Sequence, residues 1–401
     1  MTKFLSALFI FFILIFPIWS IEAAPDLIAS SAILYDYTTG RVLYEKEADE
    51  IIAPASMTKL ISLYLGWQYL EEGRISRSDL VDITAEGSSF SRPPGSSLML
   101  LEEGQRVTFL DLLKGLAISS GNDAAYALAH EISGSAQVFV KEMNQLVQSK
   151  GYSSMYFSDP DGWSDENRIT AREYAAFSAD YIRTFPDALE EIHSQEYFVY
   201  PKEENLPPLG GRILTPRNKK NTNILLGEVE GVDGLKTGYI DESGFNFTAT
   251  AKRNDSRFIA VVLGIKNVPY FEGIEIRAEE AKDLLEFGFR NYKTIYPEIP
   301  QIDELILWEG EEDFLPVQMV GSPVYTLSID EMPRFTSVLT LPDEVTAPVS
   351  EGDILGYVQY KTDGGELDAF PIVASETVEK GSLFKVLWHR VKKLYTNLIL
   401  Q

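Results

Sequence analysis

The heptapeptide PASMTKL, residues 54–60, is the stretch on which the reading of this chain turns. Proline at its head suits the first turn of a helix, where the missing N–H is not needed. The run behind it (Leu60, Ile61, Leu63, Tyr64, Leu65, Trp67) is apolar nearly all round, the pattern of a helix buried in a core. Ser56 and Lys59 stand three residues apart and share one helical face, so a hydroxyl and an amine would meet at the start of a buried helix. A capping serine beside a solvated lysine is the plainer alternative. From average composition, S-x-x-K occurs about once by chance in a chain of this length, so the heptapeptide decides nothing alone.

The chain has 401 residues, enough for two or three domains and a large core. Hydrophobic residues at 45% and charged residues at 24% are ordinary for a soluble globular protein. A formal net charge of −25 argues against a nucleic-acid partner, whose phosphates need Lys and Arg. The absence of cysteine excludes disulfides, thiolate metal sites and cysteine nucleophiles. None of the histidines (His130, His193, His389) neighbours another ligand candidate, so neither a metal nor a cofactor is expected.

At the N-terminus, Lys3 precedes an apolar stretch from Phe4 to Ile18, broken by Ser6 and followed by small residues at Ala23 and Ala24. A positive start, an apolar run short for a membrane span and a small-residue exit predict a secretory signal peptide over residues 1–23. The mature protein is therefore expected to be exported.

Residues 31–45 read as a β-hairpin turning at Thr38-Thr39-Gly40. Helical patterns follow at 57–71, 109–117, 121–132 and 136–149, then strands at 245–252 and 257–263 joined by Arg253-Asn254-Asp255-Ser256. Residues 277–292 form an amphipathic helical pattern with Ala281, Leu284, Leu285 and Phe289 on one side. Strands at both ends and helices between them predict an α+β domain over 24–293, an antiparallel sheet completed by sequence-distant strands. From about residue 294 short strand-like runs alternate with Pro, Gly and Asp turns, which predicts a small all-β domain over 294–378.

The tail, 379–401, differs again. From Gly381 onward it has no Asp or Glu, and it carries Lys385, His389, Arg390, Lys392 and Lys393. On a helical wheel Phe384, Leu387, Trp388, Val391, Leu394, Tyr395 and Leu398 gather in an arc of roughly 120°, with the basic residues opposite. A cationic, aromatic-bearing helix on an acidic protein predicts an interfacial membrane anchor; a helix docked on the protein itself is the alternative.

Two further motifs give PASMTKL its company. One is Ser119-Ser120-Gly121-Asn122-Asp123-Ala124-Ala125; the other is Gly231-Val-Asp-Gly-Leu-Lys236-Thr237-Gly238-Tyr239. Singly, the first reads as a helix N-cap and the second as a strand end near a turn. K-T-G is expected by chance on the order of 0.1 times in such a chain. S-x-x-K, S-x-N and K-T-G in that order form the motif set of penicillin-binding proteins and β-lactamases. With their surroundings, these segments resemble the low-molecular-mass penicillin-binding proteins that are serine-type D-alanyl-D-alanine carboxypeptidases. The likeness takes in Phe139–Asn144, Ile259–Gly264, Leu284–Phe289, the β-domain and the tail, nearly all of the mature chain.

The resemblance implies a transpeptidase-like catalytic domain, with an antiparallel sheet flanked by helices and a helical subdomain. It implies that Ser56 attacks a terminal D-Ala-D-Ala bond with Lys59 as base. An alcohol is a poor nucleophile until a base takes its proton, and burial together with nearby Lys236 would keep Lys59 neutral. The resemblance further implies that Ser120 relays a proton and Asn122 holds Lys59 and the substrate backbone. Lys236 and Thr237 would bind the substrate carboxylate, and Gly238 would leave room for the substrate. The N–H groups of Ser56 and Tyr239 would stabilise the oxyanion. Implied partners are peptidoglycan stem peptides, β-lactams as covalent inhibitors, and a membrane surface at the outer face of the cytoplasmic membrane.

Departures from the family pattern are specific. Asp161, in Asp159-Pro-Asp161-Gly-Trp163, stands where the family commonly has His. Asn221-Thr222-Asn223 lacks an arginine that some relatives carry just before it. Arg277 is then a possible carboxylate partner, with a structural helix-capping role the stronger expectation, and Trp163 is expected to pack. Endopeptidase or β-lactamase activity at the same site, or a non-catalytic wall-binding protein, remain the alternatives. Ser-Gly-Asn in place of Ser-Asp-Asn disfavours a class A β-lactamase, and retention of every motif residue disfavours loss of catalysis.

Overall fold

The computed structural model describes residues 23–202, 205, 217–302 and 304–399. All but the last residue of the expected signal peptide, and the side chain of Leu398, lie outside them. The chain forms two compact units, Ala23–Pro297 with Val324–Thr326, and residues 298–323 with 327–399.

In the first unit, β1 (Ser31–Asp36) and β2 (Val42–Lys46) form the expected hairpin. Gly40 takes the left-handed φ of 75° that its turn requires, and the Asp36 carboxylate accepts from the Thr39 N–H and hydroxyl. Next come α1 (Lys59–Glu71), α2 (Phe109–Ala117), α3 (Asn122–Ser133), α4 (Ala136–Ser149) and α5 (Ala171–Thr184). Thr108, Ser135 and Thr170 cap α2, α4 and α5 by accepting from the N–H three residues on. Two short antiparallel pairs intervene, β3 (Leu80–Asp82) with β4 (Arg106–Thr108) and β5 (Tyr197–Tyr200) with β6 (Arg217–Lys220). Then follow β7 (Val232–Ile240), β8 (Gly244–Arg253), β9 (Ser256–Ile265) and α6 (Tyr270–Asn291).

The sheet order is β2-β1-β9-β8-β7, antiparallel throughout, so the first strand pairs with the last and the sequence-distant pairing is found as expected. β9 is buried along its whole length and β8 along most of it, which accounts for their near-continuous apolar runs. One core gathers α1–α5 against one sheet face, with Trp67, Phe109, Phe139 and Phe177 fully enclosed. The other places α6 against the opposite face through Ala281, Leu284 and Leu285. Emptying such sites to alanine costs about 2–5 kcal/mol each. α6 begins at Tyr270, seven residues earlier than expected, and α5 is a helix beyond those expected from the sequence.

The second unit is a set of short strands with a helix at its end. Its largest sheet pairs Thr336–Thr340, Ile354–Thr362 and Gly365–Ala374. The tail helix, Leu383–Ile399, lies with its basic side on this unit. Arg390 pairs with Glu309, Lys385 with Asp313 and Lys393 with Glu344, while His389 Nδ1 accepts from the Glu309 N–H. Its apolar side faces outward, with Phe384 86% and Trp388 65% exposed. Docking and an outward apolar side thus coexist in one helix.

Candidate active site

Ser56 sits on a 3-10 turn, Ala55–Thr58, and Lys59 opens α1 directly behind it. Ala55 holds a φ of 52°, a left-handed conformation that costs an alanine about 1–2 kcal/mol. Two glycines clamp this turn. A Cβ on Gly238 of β7 would fall 2.4 Å from the Pro54 carbonyl oxygen, and one on Gly162 would fall 1.8 Å from that of Ala55. The space at Gly238 is therefore filled by the backbone of the serine turn. This corrects the expectation that it leaves room for substrate.

Lys59 is fully buried. Its Nζ donates to Ser56 Oγ at 2.8 Å, Asn122 Oδ1 at 2.8 Å and the Asp161 carbonyl at 2.6 Å. Burial brings its pKa down to about 8, against the opposing pull of Asp161, Asp159 and Asp123. Asn122 is the first residue of α3, and Asp123 beside it fixes that helix start. The Asp123 carboxylate accepts from the N–H groups of Met99, Leu100 and Leu101 at 2.8–2.9 Å.

Ser120 also has a left-handed φ, 54°, and its Oγ accepts from Lys236 Nζ at 2.9 Å. Lys236 is enclosed as well. Burial, then Lys59 and Arg277, hold its pKa well below the usual lysine value. Thr237 donates from Oγ1 to Thr222 Oγ1 at 2.7 Å. Tyr239 packs its ring on Phe245 and donates its hydroxyl to Asp241. Motifs far apart in sequence thus meet as two bonded groups, Ser56–Lys59–Asn122 and Ser120–Lys236, with Thr237 beside Lys236 on β7. That strand ends the sheet and leaves an edge to which an extended peptide can add.

Arg277 behaves differently from either expectation. It lies in the second turn of α6, buried, and Nη1 donates to the Gly238 carbonyl at 3.1 Å. It braces β7 from behind. Asn223 braces the same strand by donating to the Gly234 carbonyl, while Asn221 ties its segment to the carbonyls of His193 and Gln195.

The sequence profile of the D-alanyl-D-alanine carboxypeptidase (peptidase S11) family matches residues 19–267, more than half of the chain. The chain belongs to this serine peptidase family. Residues 292–380 match the C-terminal domain of penicillin-binding protein 5. Among characterised relatives, the D-alanyl-D-alanine carboxypeptidase DacF of Bacillus subtilis is 31% identical over 90% of this chain and 88% of its own. Penicillin-binding protein 5 of Haemophilus influenzae superposes with a TM-score of 0.73 at 28% identity, covering 90% of this chain and all of its own. Penicillin-binding protein D2 of Listeria monocytogenes, solved in the ampicillin-bound form, gives 0.56 at 28% identity over 67% of this chain and all of its own. The expected fold, a penicillin-binding catalytic domain followed by an all-β domain, is the fold of this family.

Within this carboxypeptidase architecture, sequence reasoning missed several contributors. Trp163 is 45% exposed and does not pack as expected. With Pro94, Gly95, Tyr239, Ile240, Asp241 and Glu242 it lines a cleft of about 380 Å³ at the end of β7. Thr222 and the Asp161 carbonyl carried no signal, because a lone threonine and a main-chain oxygen have none. The Asp123 anchor was not anticipated, because its partners are main-chain N–H groups of Met99, Leu100 and Leu101 in a distant segment.

Proposed function

We infer that the chain is a serine D,D-carboxypeptidase: it removes the terminal D-Ala of peptidoglycan stem peptides through an acyl-enzyme and is acylated by β-lactams. The observation that carries this reading is the set of acceptors around Lys59. A neutral amine has two N–H bonds and one lone pair. The carbonyls of Asn122 and Asp161 can only accept, so in the neutral form they keep the two N–H bonds, and the direction in which the ammonium donates to Ser56 Oγ, 2.8 Å away, becomes that of the lone pair. Burial favours that neutral state.

In this reading the Ser56 proton passes to Lys59 as Oγ attacks the carbonyl carbon of the scissile bond. The N–H groups of Ser56 and Tyr239 receive the oxyanion in a dry site, where such donors are worth most. Ser120, held by Lys236, relays to the leaving D-Ala amine the proton that Lys59 took from Ser56, and so ends the step unchanged. Thr237 offers its hydroxyl to the substrate's terminal carboxylate, with Lys236 as the cation behind it. Water then attacks the ester and the steps run in reverse. Release of D-Ala from a diacetyl-Lys-D-Ala-D-Ala substrate tests the reading. Turnover without a lasting penicillin adduct, through rapid antibiotic hydrolysis, would favour a β-lactamase instead.

The same proposal divides the chain into a leader (residues 1–23), a catalytic domain (24–293), a β-domain (294–378) and a tail helix (379–401) that rests on the outer face of the cytoplasmic membrane. No helix among the described residues is long and apolar enough to cross a membrane. The outward apolar side of the tail supports peripheral attachment. Because its basic residues already pair with acids of the β-domain, this attachment rests on apolar burial more than on lipid charge.

A further inference from the structure

Asp161 is an ionisable group of this site to which the reaction assigns no task. Its carbonyl accepts from Lys59, and its carboxyl is enclosed at 1% exposure, with Oδ1 accepting from the Trp163 N–H at 3.3 Å. Among the described residues the carboxyl forms no ion pair, so it acts on Lys59 through space. The loop holds it there firmly. The Asp159 carboxylate accepts from the N–H groups of Gly162 and Ser164 and from Asn167 Nδ2 at 2.6–2.9 Å, and Gly162 presses on the Ala55 carbonyl.

We propose that Asp161 is a positioning residue that governs the proton on Lys59: its carbonyl aims the amine, and its enclosed carboxylate favours the ammonium form. The groups facing the pair are few. On Asp161 act Lys59 from α1, Asp159 of its own loop, and Arg92, whose guanidinium stacks on the Tyr126 ring of α3. On Lys59 act Asp161, Asp159 and Asp123, with Lys236 of β7 nearby and opposing them. Burial pushes Asp161 above the usual carboxylate range and Lys59 below the usual lysine range while their opposite charges pull each back, so the site passes through a pH window in which it holds an anion beside a cation. Acylation needs the amine free. An anion enclosed close by delays its release, and removing that anion advances it.

This inference rests on Ser56 as nucleophile and Lys59 as base, and its test separates the two. The second-order rate of acylation by a fluorescent penicillin is measured from about pH 5 to 10 for the wild type, Asp161→Asn and Asp161→His. Rates are normalised to titrated active sites, so that a misfolded fraction does not count. Both variants are expected to move the rising limb down by about one pH unit, giving roughly tenfold faster acylation where wild-type Asp161 is ionised, a gain that Asp161→Asn loses toward the acid end, where that carboxyl is protonated. Above it they acylate no faster, or more slowly, because a less basic amine is a weaker base. A rising limb left in place in both variants, or a uniform loss at every pH, would overturn the proposal while leaving Ser56 intact. Failure of the wild type to label at all, or labelling that survives Ser56→Ala, would instead overturn the reading on which it rests.

Discussion

Lys236 donates to Ser120 Oγ at 2.9 Å across 116 residues of sequence, although its motif suggests a cation waiting for an anionic substrate. The two tasks are compatible. In the proposed mechanism, Lys236 in its ammonium form lends charge to a carboxylate arriving at the neighbouring Thr237 hydroxyl, and its bond to Ser120 would tie carboxylate binding to the proton relay.

Lys236→Ala and Thr237→Val should therefore hit substrates with a free C-terminal carboxylate harder than analogues amidated there. A charge-assisted contact is worth about 1.5–3 kcal/mol, or roughly 10- to 150-fold in rate. Steady-state kinetics on a matched acid and amide pair read this directly. Equal losses on both substrates would remove the carboxylate contact from the account.

His193 supplies a pH dependence of stability. It is buried between β7 and α5, with Nδ1 facing the Leu235 carbonyl and Nε2 facing the Tyr181 hydroxyl. Burial lowers its pKa to about 3, with nearby Lys236 adding to the effect. The folded protein keeps this ring neutral while the unfolded chain protonates it below about 6.5, so stability is lost as pH falls from about 6.5 toward 3. Each unit of that gap is worth about 1.4 kcal/mol. Thermal melts of His193→Gln should show a shallower decline between about pH 6.5 and 4.5, and an unchanged slope would show that another group governs it.

The tail makes a separate prediction. With Lys385, Arg390 and Lys393 paired to acids of the β-domain, vesicle binding should depend on the apolar side and respond only modestly to salt. Phe384→Ser combined with Trp388→Ser should abolish cosedimentation with vesicles and leave turnover of a soluble substrate unchanged. Binding that survives this change yet vanishes in high salt would mean that the basic side meets lipid.

Much of this architecture was legible because it rests on local chemistry. The β1–β2 hairpin announced itself through Thr38-Thr39-Gly40, and the buried strands β8 and β9 through their apolar runs. Proximity of Ser56 to Lys59 follows from a spacing of one turn. Other features depend on tertiary placement and leave no local pattern. Gly238 looked like space for a ligand, whereas the Pro54 carbonyl fills it. Arg277 looked like a helix cap or a ligand for the carboxylate, whereas it reaches a strand carbonyl in another element. Trp163 looked like packing because its composition is that of a core residue, and only its placement at the end of β7 exposes it.

The central claim is that Ser56, activated by Lys59, forms the covalent bond. The most direct measurement is mass spectrometry of the full mature protein after brief exposure to penicillin, with the adduct mapped by proteolysis. The account predicts one penicilloyl group on the peptide containing Ser56, its loss in Ser56→Ala, and a reduction of several orders of magnitude in its rate of formation in Lys59→Ala, as expected of residues that act as a unit. An adduct that persists in Ser56→Ala, or that maps to Ser120, would contradict it.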